Sequence, residues 1–575
     1  MKASVLEFRR HWMLPLSVLL VLAVTAGGPT QHALAGTEAG VLAHLTNPGE
    51  GWTAFRPAPD TRMVFVSSSQ GDDANDGLSP ERPLKTISNG LALLRNDHSD
   101  WLLLKRGDVW YESIGSITSS TLKNGRSPQQ PTLIASYGAS GERPLLKLGD
   151  AGNGLRVPVN RPGKAKNMAV VGIHFYDEKG DPGSPEFVRD RDKGGAGISW
   201  AAPGENLLIE DCRFRYLSGG PIMGRSPWQG TPEDVFRNVQ VRRCVATHAW
   251  TTSGHCQGFF FSKIDGLLLE ENVLDHNGYC YETGDGPTWF NHNVYITIEC
   301  DNVVARGNIV ARGSTTGVYC RTNGVLEDNL CMDNSPSLNL GRIDKFRPGG
   351  VTGRIAGNVV IGAGVRDLKQ IEGLSAGPAI ELANVNYGGA VVERNIVIGD
   401  PHSGDSAFNL GGLGVGAHNV IVRNNTVCNW APAFRCFVTA GEELAKGKSS
   451  GVEVRDNVFQ GTADYAEDLL QEMRGEAGIA YQGNVCYSPS GGVGMGQPGR
   501  KQPVAFVDPN RTAATYNKSL GGEGTREAFL AEAHKQSKFN WRPEYTAAAV
   551  IAYIREGFRP RQDVGGAGAC AASAR

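Results

Sequence analysis

The chain has almost no net charge: 57 Lys and Arg against 59 Asp and Glu leave −2 over 575 residues. That balance removes any global electrostatic case for nucleic acid or an anionic membrane as partner. The apolar run "MLPLSVLLVLAVTAGG" is, at 16 residues, short for a spanning helix. Arg9 and Arg10 precede it, and Ala33-Leu34-Ala35 offers a small-x-small cleavage site before Gly36, so residues 1–35 read as a signal peptide. "FRRHWML" matches a twin-arginine signal poorly. Ordinary secretion, outside the cell or into a periplasm, is therefore expected, with no membrane attachment after cleavage. The 11 cysteines are scattered and odd in number, which argues against a disulfide framework. Buried free thiols are expected, with Cys428 and Cys436 the one short-range pair worth testing.

What is present is a repeat. An apolar strand, one or two polar residues, an asparagine and two more apolar residues recur as "LLLEENVL", "VVARGNIV", "VLEDNLC", "RIAGNVV", "VVERNIV", "VIVRNNTV", "VEVRDNVF" and "IAYQGNVC". The anchors are Asn272, Asn308, Asn329, Asn358, Asn395, Asn425, Asn457 and Asn484, with Cys212 and Cys244 in the same place upstream. Successive anchors are 32, 28, 36, 21, 29, 37, 30, 32 and 27 residues apart. A floor near 21 with variable excess fits three short strands joined by loops of different length; a propeller would hold a steadier period. The pattern predicts an all-β, right-handed parallel β-helix of about ten coils, in which equivalent residues stack at strand spacing. Two residues after each anchor stand Phe214, Ala246, Leu274, Val310, Cys331, Val360, Val397, Val427, Phe459 and Cys486, an apolar column that makes both cysteines core residues.

Open ends of such a coil need covers. Leu84, Ile87, Leu91 and Leu94 share one helical face at the front, and "TREAFLAEAHKQ" and "PEYTAAAVIAYIREGF" read as helices at the back. The resulting organisation is 1–35 signal peptide, 36–62 linker, 63–150 cap and first coils, 151–500 β-helix, 501–560 helical C-terminal cap and 561–575 disordered tail.

"VFVSSSQGDDANDGLSPERPLKTI" followed by "WLLLKRGDVWYES" resembles the opening of secreted right-handed β-helix proteins, among them polysaccharide lyases and glycoside hydrolases. The coil pattern extends the resemblance from about residue 64 to 490. It implies the fold and leaves the subfamily unassigned: neither the paired aspartates of polygalacturonases nor the arginine pattern of the main pectate lyases is present. Asp72, Asp73, Asn75 and Asp76 can in principle bind calcium, but their spacing is not that of an EF-hand, and Asx turns account for them. No cofactor is required by the sequence, and calcium is left open.

Of only 12 histidines, His248, His255, His276 and His292 fall within 45 residues. Four residues after the anchors stand Tyr216, His248, His276, Arg312 and Asp333, then Gly362, Gly399, Asn429, Gly461 and Ser488. The glycines mark a corner, so His248 and His276 should stack on adjacent coils. Aligning "GFFFSK", "NVYITI" and "GVYCRT" puts Phe259, Val294 and Val318 inward, Phe260, Tyr295 and Tyr319 outward, and Ser262, Thr297 and Arg321 in a second outward column. Loop 277–291 brings Tyr279, Tyr281, Glu282, Asp285 and Trp289 alongside. The plainer reading is that a turn histidine is a surface hydrogen-bonding residue and an outward tyrosine an exposed strand former. A zinc site from His248, His255, His276 and Cys280 would rest on a weak pattern, and no metal is assigned.

The groove suits β-elimination on a uronic-acid-containing polysaccharide. Arg321 neutralises the carboxylate, His276 or His292 removes the acidified proton, and Tyr295 or Tyr319 protonates the leaving oxygen, with His248 nearby. Trp289, Tyr279, Arg312, Arg342 and Lys345 would hold substrate, the last two in a loop that also carries Asp344 and Arg347. Hydrolysis would instead use two of Glu282, Asp285 and Glu299, with Asp275 and Asp301 behind them. C5 epimerisation would need nearly the groups of elimination. The non-enzyme alternative is a monomeric cell-surface or matrix carbohydrate-binding protein with the same groove.

Overall fold

Each coil gives one strand to each of three parallel sheets, of 14 strands (sheet A), 13 strands (sheet B) and 12 strands (sheet C). The structure is a computed structural model that describes residues 40–561 apart from 117–122, 158–163, 190–193, 226–233, 253–254, 298, 342–349, 363–376, 383–388, 400–404, 412–417, 437–449 and 473–478. The segment expected to be a signal peptide, Arg342, Asp344, Lys345, Arg347 and all but the first residue of the expected tail lie outside the described residues. Neighbouring strands in every sheet run parallel and in register, so the fold is a right-handed parallel β-helix. It exceeds the expected ten coils because four strands of sheet A, Met63–Val66, Trp101–Lys105, Thr132–Tyr137 and Ala165–Val171, precede the first anchored one.

The asparagine anchors form one continuous ladder. From Asn272 to Asn484 each side-chain Nδ2 donates to the Oδ1 of the next anchor at 2.9–3.0 Å. Each anchor's backbone N–H donates to the same oxygen, at 2.9–3.1 Å. Buried amides are thus satisfied along the axis at a corner where the sheet hydrogen bonds stop. The column from Phe214 to Cys486 lies in the core as expected. All ten described cysteines are buried and free, Cys428 and Cys436 included.

The front helix, Ile87–Leu93, is N-capped by Thr86 and buries Ile87 and Leu91 on the first coils, with Leu84 and Leu94 beside them. Asp72 and Asp76 accept the N–H groups of Ala74 and Leu78, two residues on, as Asx turns do, and Asp73 accepts those of Lys85 and Thr86 at the start of the front helix, all at 2.9–3.0 Å.

The C-terminal helices correct the sequence reading. Ala513–Ser519, Arg526–Ala533 and Ala547–Gly557 do not close the back of the coil; they run along its side, over the outer face of sheet B. Phe529, Leu530, Val550, Ile551 and Ile554 pack there on Val273, Ile309, Leu330, Met332, Val359 and Ile361. The reason is in the strands. "IVA", "LCM", "VVI" and "IVI" are apolar at all three positions, which is how a strand buried on both faces reads. The back edge is met instead by a short non-helical run, in which Leu470 N–H donates to Val493 O and Arg500 N–H to Cys486 O.

Candidate functional site

The three-residue strands of sheet C leave one central side chain pointing outward, and register sets its neighbours. Phe259, Val294 and Val318 pair inward in the core, which leaves Phe260, Tyr295 and Tyr319 in line on the outer face. The Tyr295 and Tyr319 rings stack at 5.3 Å and 14°, and Phe260 meets Tyr295 edge-on at 5.5 Å. Arg321 lies one outward position on, and its guanidinium donates to the Tyr295 hydroxyl oxygen at 2.7 Å. Ser262 and Thr297, in the same column, donate to Glu299 at 2.6 and 3.0 Å.

His292 enters this group just ahead of strand Val294–Ile296, its ring 5.2 Å from Tyr295 and 4.9 Å from Tyr319. It is 6% exposed, and its backbone N–H donates to Gln257 Oε1 at 2.7 Å. Its Nδ1 lies 2.9 Å from Thr315 Oγ1, while the Thr315 hydroxyl donates to Asn291 O at 2.8 Å. With the hydroxyl's one proton directed at Asn291 O, Nδ1–H is the donor in that pair. The tautomer this selects carries its lone pair on Nε2, the form a general base needs.

His248 and His276 stack as the repeat demanded, at 4.8 Å and 18°, with left-handed backbones at φ 58° and 57°. They belong to a second group, however, at the corner between sheets B and C. Tyr216 stacks on His248 at 5.0 Å and Tyr279 on His276 at 4.3 Å. Below them buried Asp275 pairs with Arg312 at 2.5 Å and with His534 Nε2 of the C-terminal region at 2.9 Å. Burial alone would push the Asp275 carboxyl up, but His534 and Arg312 hold it well below the usual range. Loop 277–291 therefore separates His276 from His292, and two of the expected substrate contacts, buried Tyr279 and half-buried Arg312, are partners within the second group. Trp289 is 48% exposed on that loop. Asp285 accepts the Thr283 hydroxyl at 2.6 Å and exposed Glu282 accepts the Cys280 thiol at 3.3 Å, so of the three alternative carboxylates only Glu299 stands on the sheet C face. His255 is exposed, edge-on to Phe290 at 5.3 Å.

Burial, then the charge of His276, lowers His248 to about 3. Burial first also lowers His276, with Arg312 adding to it and Asp275 opposing. His174 is held well below its usual value by burial and Arg213, and His44 drops to about 4 through burial and Arg106. A histidine whose folded pKa is depressed binds its proton more readily in the unfolded chain, so folding loses stability as pH falls below the unfolded value of 6.5. Circular-dichroism melts should show the melting temperature dropping steadily from about pH 6.5 toward pH 4. A flat profile over that interval would contradict four neutral, half-buried imidazoles.

Sequence reasoning missed the continuation of the sheet C face. After Tyr319 the outward column runs Asn339, Glu381, Asn409, Arg435 and Gln471 in register. Asn339 Nδ2 donates to Glu381 at 2.6 Å, and Arg435 pairs with Asp405 and donates to Gln471 at 3.2 Å. The signal was legible in "LNL", "IEL", "FNL" and "FRC", each a polar residue flanked by apolar ones, had the alignment been carried past "VYC". The face thus changes along the axis from an aromatic platform to a ladder of amides and charges.

No family model matches the chain, and neither does any curated protein. Among solved structures it is similar to a PL6-family alginate lyase (11% identity, 79% of this chain and 54% of that one, TM-score 0.47). It is also similar to a GH136 lacto-N-biosidase from Eubacterium ramulus (14%, 73% and 67%, TM-score 0.35) and a pectate lyase (15%, 79% and 85%, TM-score 0.32). The chain spans about half the length of the alginate lyase. At these identities the likeness is one of fold.

Proposed function

We propose that the protein is an exported enzyme that cleaves a uronic-acid-containing polysaccharide by β-elimination along the outer face of sheet C. The observation that carries this reading is the meeting of His292, Tyr295, Tyr319 and Arg321 on one face. Stacked phenol rings give sugar rings a flat apolar bed. Arg321 balances the uronate carboxylate, which acidifies the C5 proton. Nε2 of His292 takes that proton, the C4–O bond breaks as the C4=C5 double bond forms, and a tyrosine hydroxyl gives its proton to the departing oxygen. The Arg321 guanidinium stands where negative charge develops on the Tyr295 oxygen. Asn339, Glu381, Asn409 and Arg435 extend the track for neighbouring sugars.

A second reading rests on the carboxylates of the same face. Glu299 and Glu381 both stand on sheet C, but three strands and so about 14 Å apart along the axis, wider than the roughly 5–10 Å between the acid and base of a hydrolase. Incubating the mature protein, from Gly36, with acidic and neutral polysaccharides separates the two. Ultraviolet absorbance of an unsaturated uronate rising together with new reducing ends is the expected result. Reducing ends without absorbance would move the chemistry from His292 to a carboxylate pair that includes Glu299. Binding without either product would make the groove a lectin-like surface.

A further inference from the structure

The outer column of sheet B is apolar wherever the C-terminal helices lie on it, at Val245, Val273, Ile309, Leu330, Val359 and Ile396. Two coils earlier the same column holds His174 and Arg213, paired in register. There the cover is no longer a helix but the polar run 534–540, and a cavity of about 330 Å³ remains beneath it. Its wall presents Arg143, His174, Arg213, His534 and Lys535 against one carboxylate, Glu142.

Some of these groups are already committed. Arg143 pairs with Asp211 at 2.6 Å and donates to Gln536 O at 3.0 Å, His534 lies 2.9 Å from Asp275, and exposed Lys535 at the rim pairs with Glu532 at 2.6 Å. Nε of Arg213 and Nε2 of His174 are shielded from solvent and meet no hydrogen-bond partner among the described residues. A guanidinium N–H hidden from water without an acceptor is costly, and its cost is removed when an anion supplies one. The local field points the same way. Burial, with Arg215 and Arg143, brings the Arg213 guanidinium down to about 10, opposed only by Glu142.

We propose that this cavity is a binding site for a small oxyanion ligand, a sulfate, phosphate or carboxylate borne on nothing larger than one sugar, held by Arg213 beside His174, with Lys535 adding positive charge at the rim. The site is on sheet B, apart from the Tyr295–Tyr319 platform of sheet C, and stands whether or not the elimination reading does. Its walls come from three successive early coils, at Arg143, His174 and Arg213, and from the run 534–540, so an occupied site fastens the C-terminal region to the early coils.

Isothermal titration of the mature protein with sodium sulfate, sodium phosphate and sodium glucuronate, at ionic strength fixed with chloride, tests it. One saturable site per chain is expected for at least one of the three. Saturation by all three identifies the oxyanion itself as the ligand; saturation by glucuronate alone identifies a carboxylated sugar. Arg213→Gln should weaken binding at least about tenfold, the value of one charge-assisted hydrogen bond. Lys535→Ala, at an exposed position whose loss the fold tolerates, should weaken it more modestly and keeps the test decisive if Arg213→Gln does not fold. Absence of saturable binding to all three, or binding unchanged in Lys535→Ala and in a folded Arg213→Gln, overturns the proposal.

Discussion

His292→Asn is expected to lower turnover of the acidic polysaccharide about 10²–10⁴-fold, the usual contribution of a positioned general base. The asparagine amide keeps a donor near Thr315 Oγ1, which lies 2.9 Å from Nδ1, while removing the Nε2 lone pair. A loss confined to kcat, with KM and the thermal melt near the parent's, would show that proton transfer rather than packing was removed. Tyr295→Phe should be nearly as damaging, because it deletes the oxygen that Arg321 holds at 2.7 Å. His276→Ala is the informative contrast. Its ring is stacked between His248 and Tyr279, so it should cost stability more than turnover. If His276→Ala abolished activity while His292→Asn retained it, the assignment of the base would be reversed.

Ile554→Asp should destabilise the protein by more than about 4 kcal/mol, in the range reached when a core position receives an unpaired charge. Ile554 is fully buried in the seam between the last helix and sheet B, with Val550 and Ile551 on the same side of that helix. Ile554→Val, which removes one methylene, should cost about 0.5–1.5 kcal/mol. Urea unfolding followed by far-ultraviolet circular dichroism measures both, and limited proteolysis should show the aspartate variant cleaved first within its C-terminal helices. A cost below about 1 kcal/mol for Ile554→Asp would mean that the helix is not seated on the sheet.

The coil, its asparagine corner and the inward and outward columns were legible because a β-helix writes its third dimension as a repeat. Once Asn308 and Asn329 are recognised as equivalent, Val310 and Cys331 must be neighbours, and so must Tyr295 and Tyr319. The approach of His292 to those tyrosines was legible only in part, since it depends on how loop 277–291 returns. Loop length says nothing of that path, and the loop sends His276 and His292 to different groups. The side-on seat of the C-terminal helices was written in the strands that receive them: Leu330 and Met332 flank Cys331, so this strand has no solvent face. An outward column read for polarity as well as for tyrosines would have shown both that cover and the Glu381 ladder.

A stack whose coils touch only their neighbours should fray from either end, one rung at a time. The run that follows the second C-terminal helix forbids this. Lys538 forms a buried ion pair with Glu210, 328 residues earlier, and Gln536 O accepts from Arg143 across 393. Trp541 meets Trp52 edge-on at 5.1 Å, and the Arg243 guanidinium lies over both rings. A segment late in the chain is thus stitched to its early coils. The protein should melt as one cooperative body rather than unzip, and during synthesis this face of sheet B stays open until the run 534–541 has emerged.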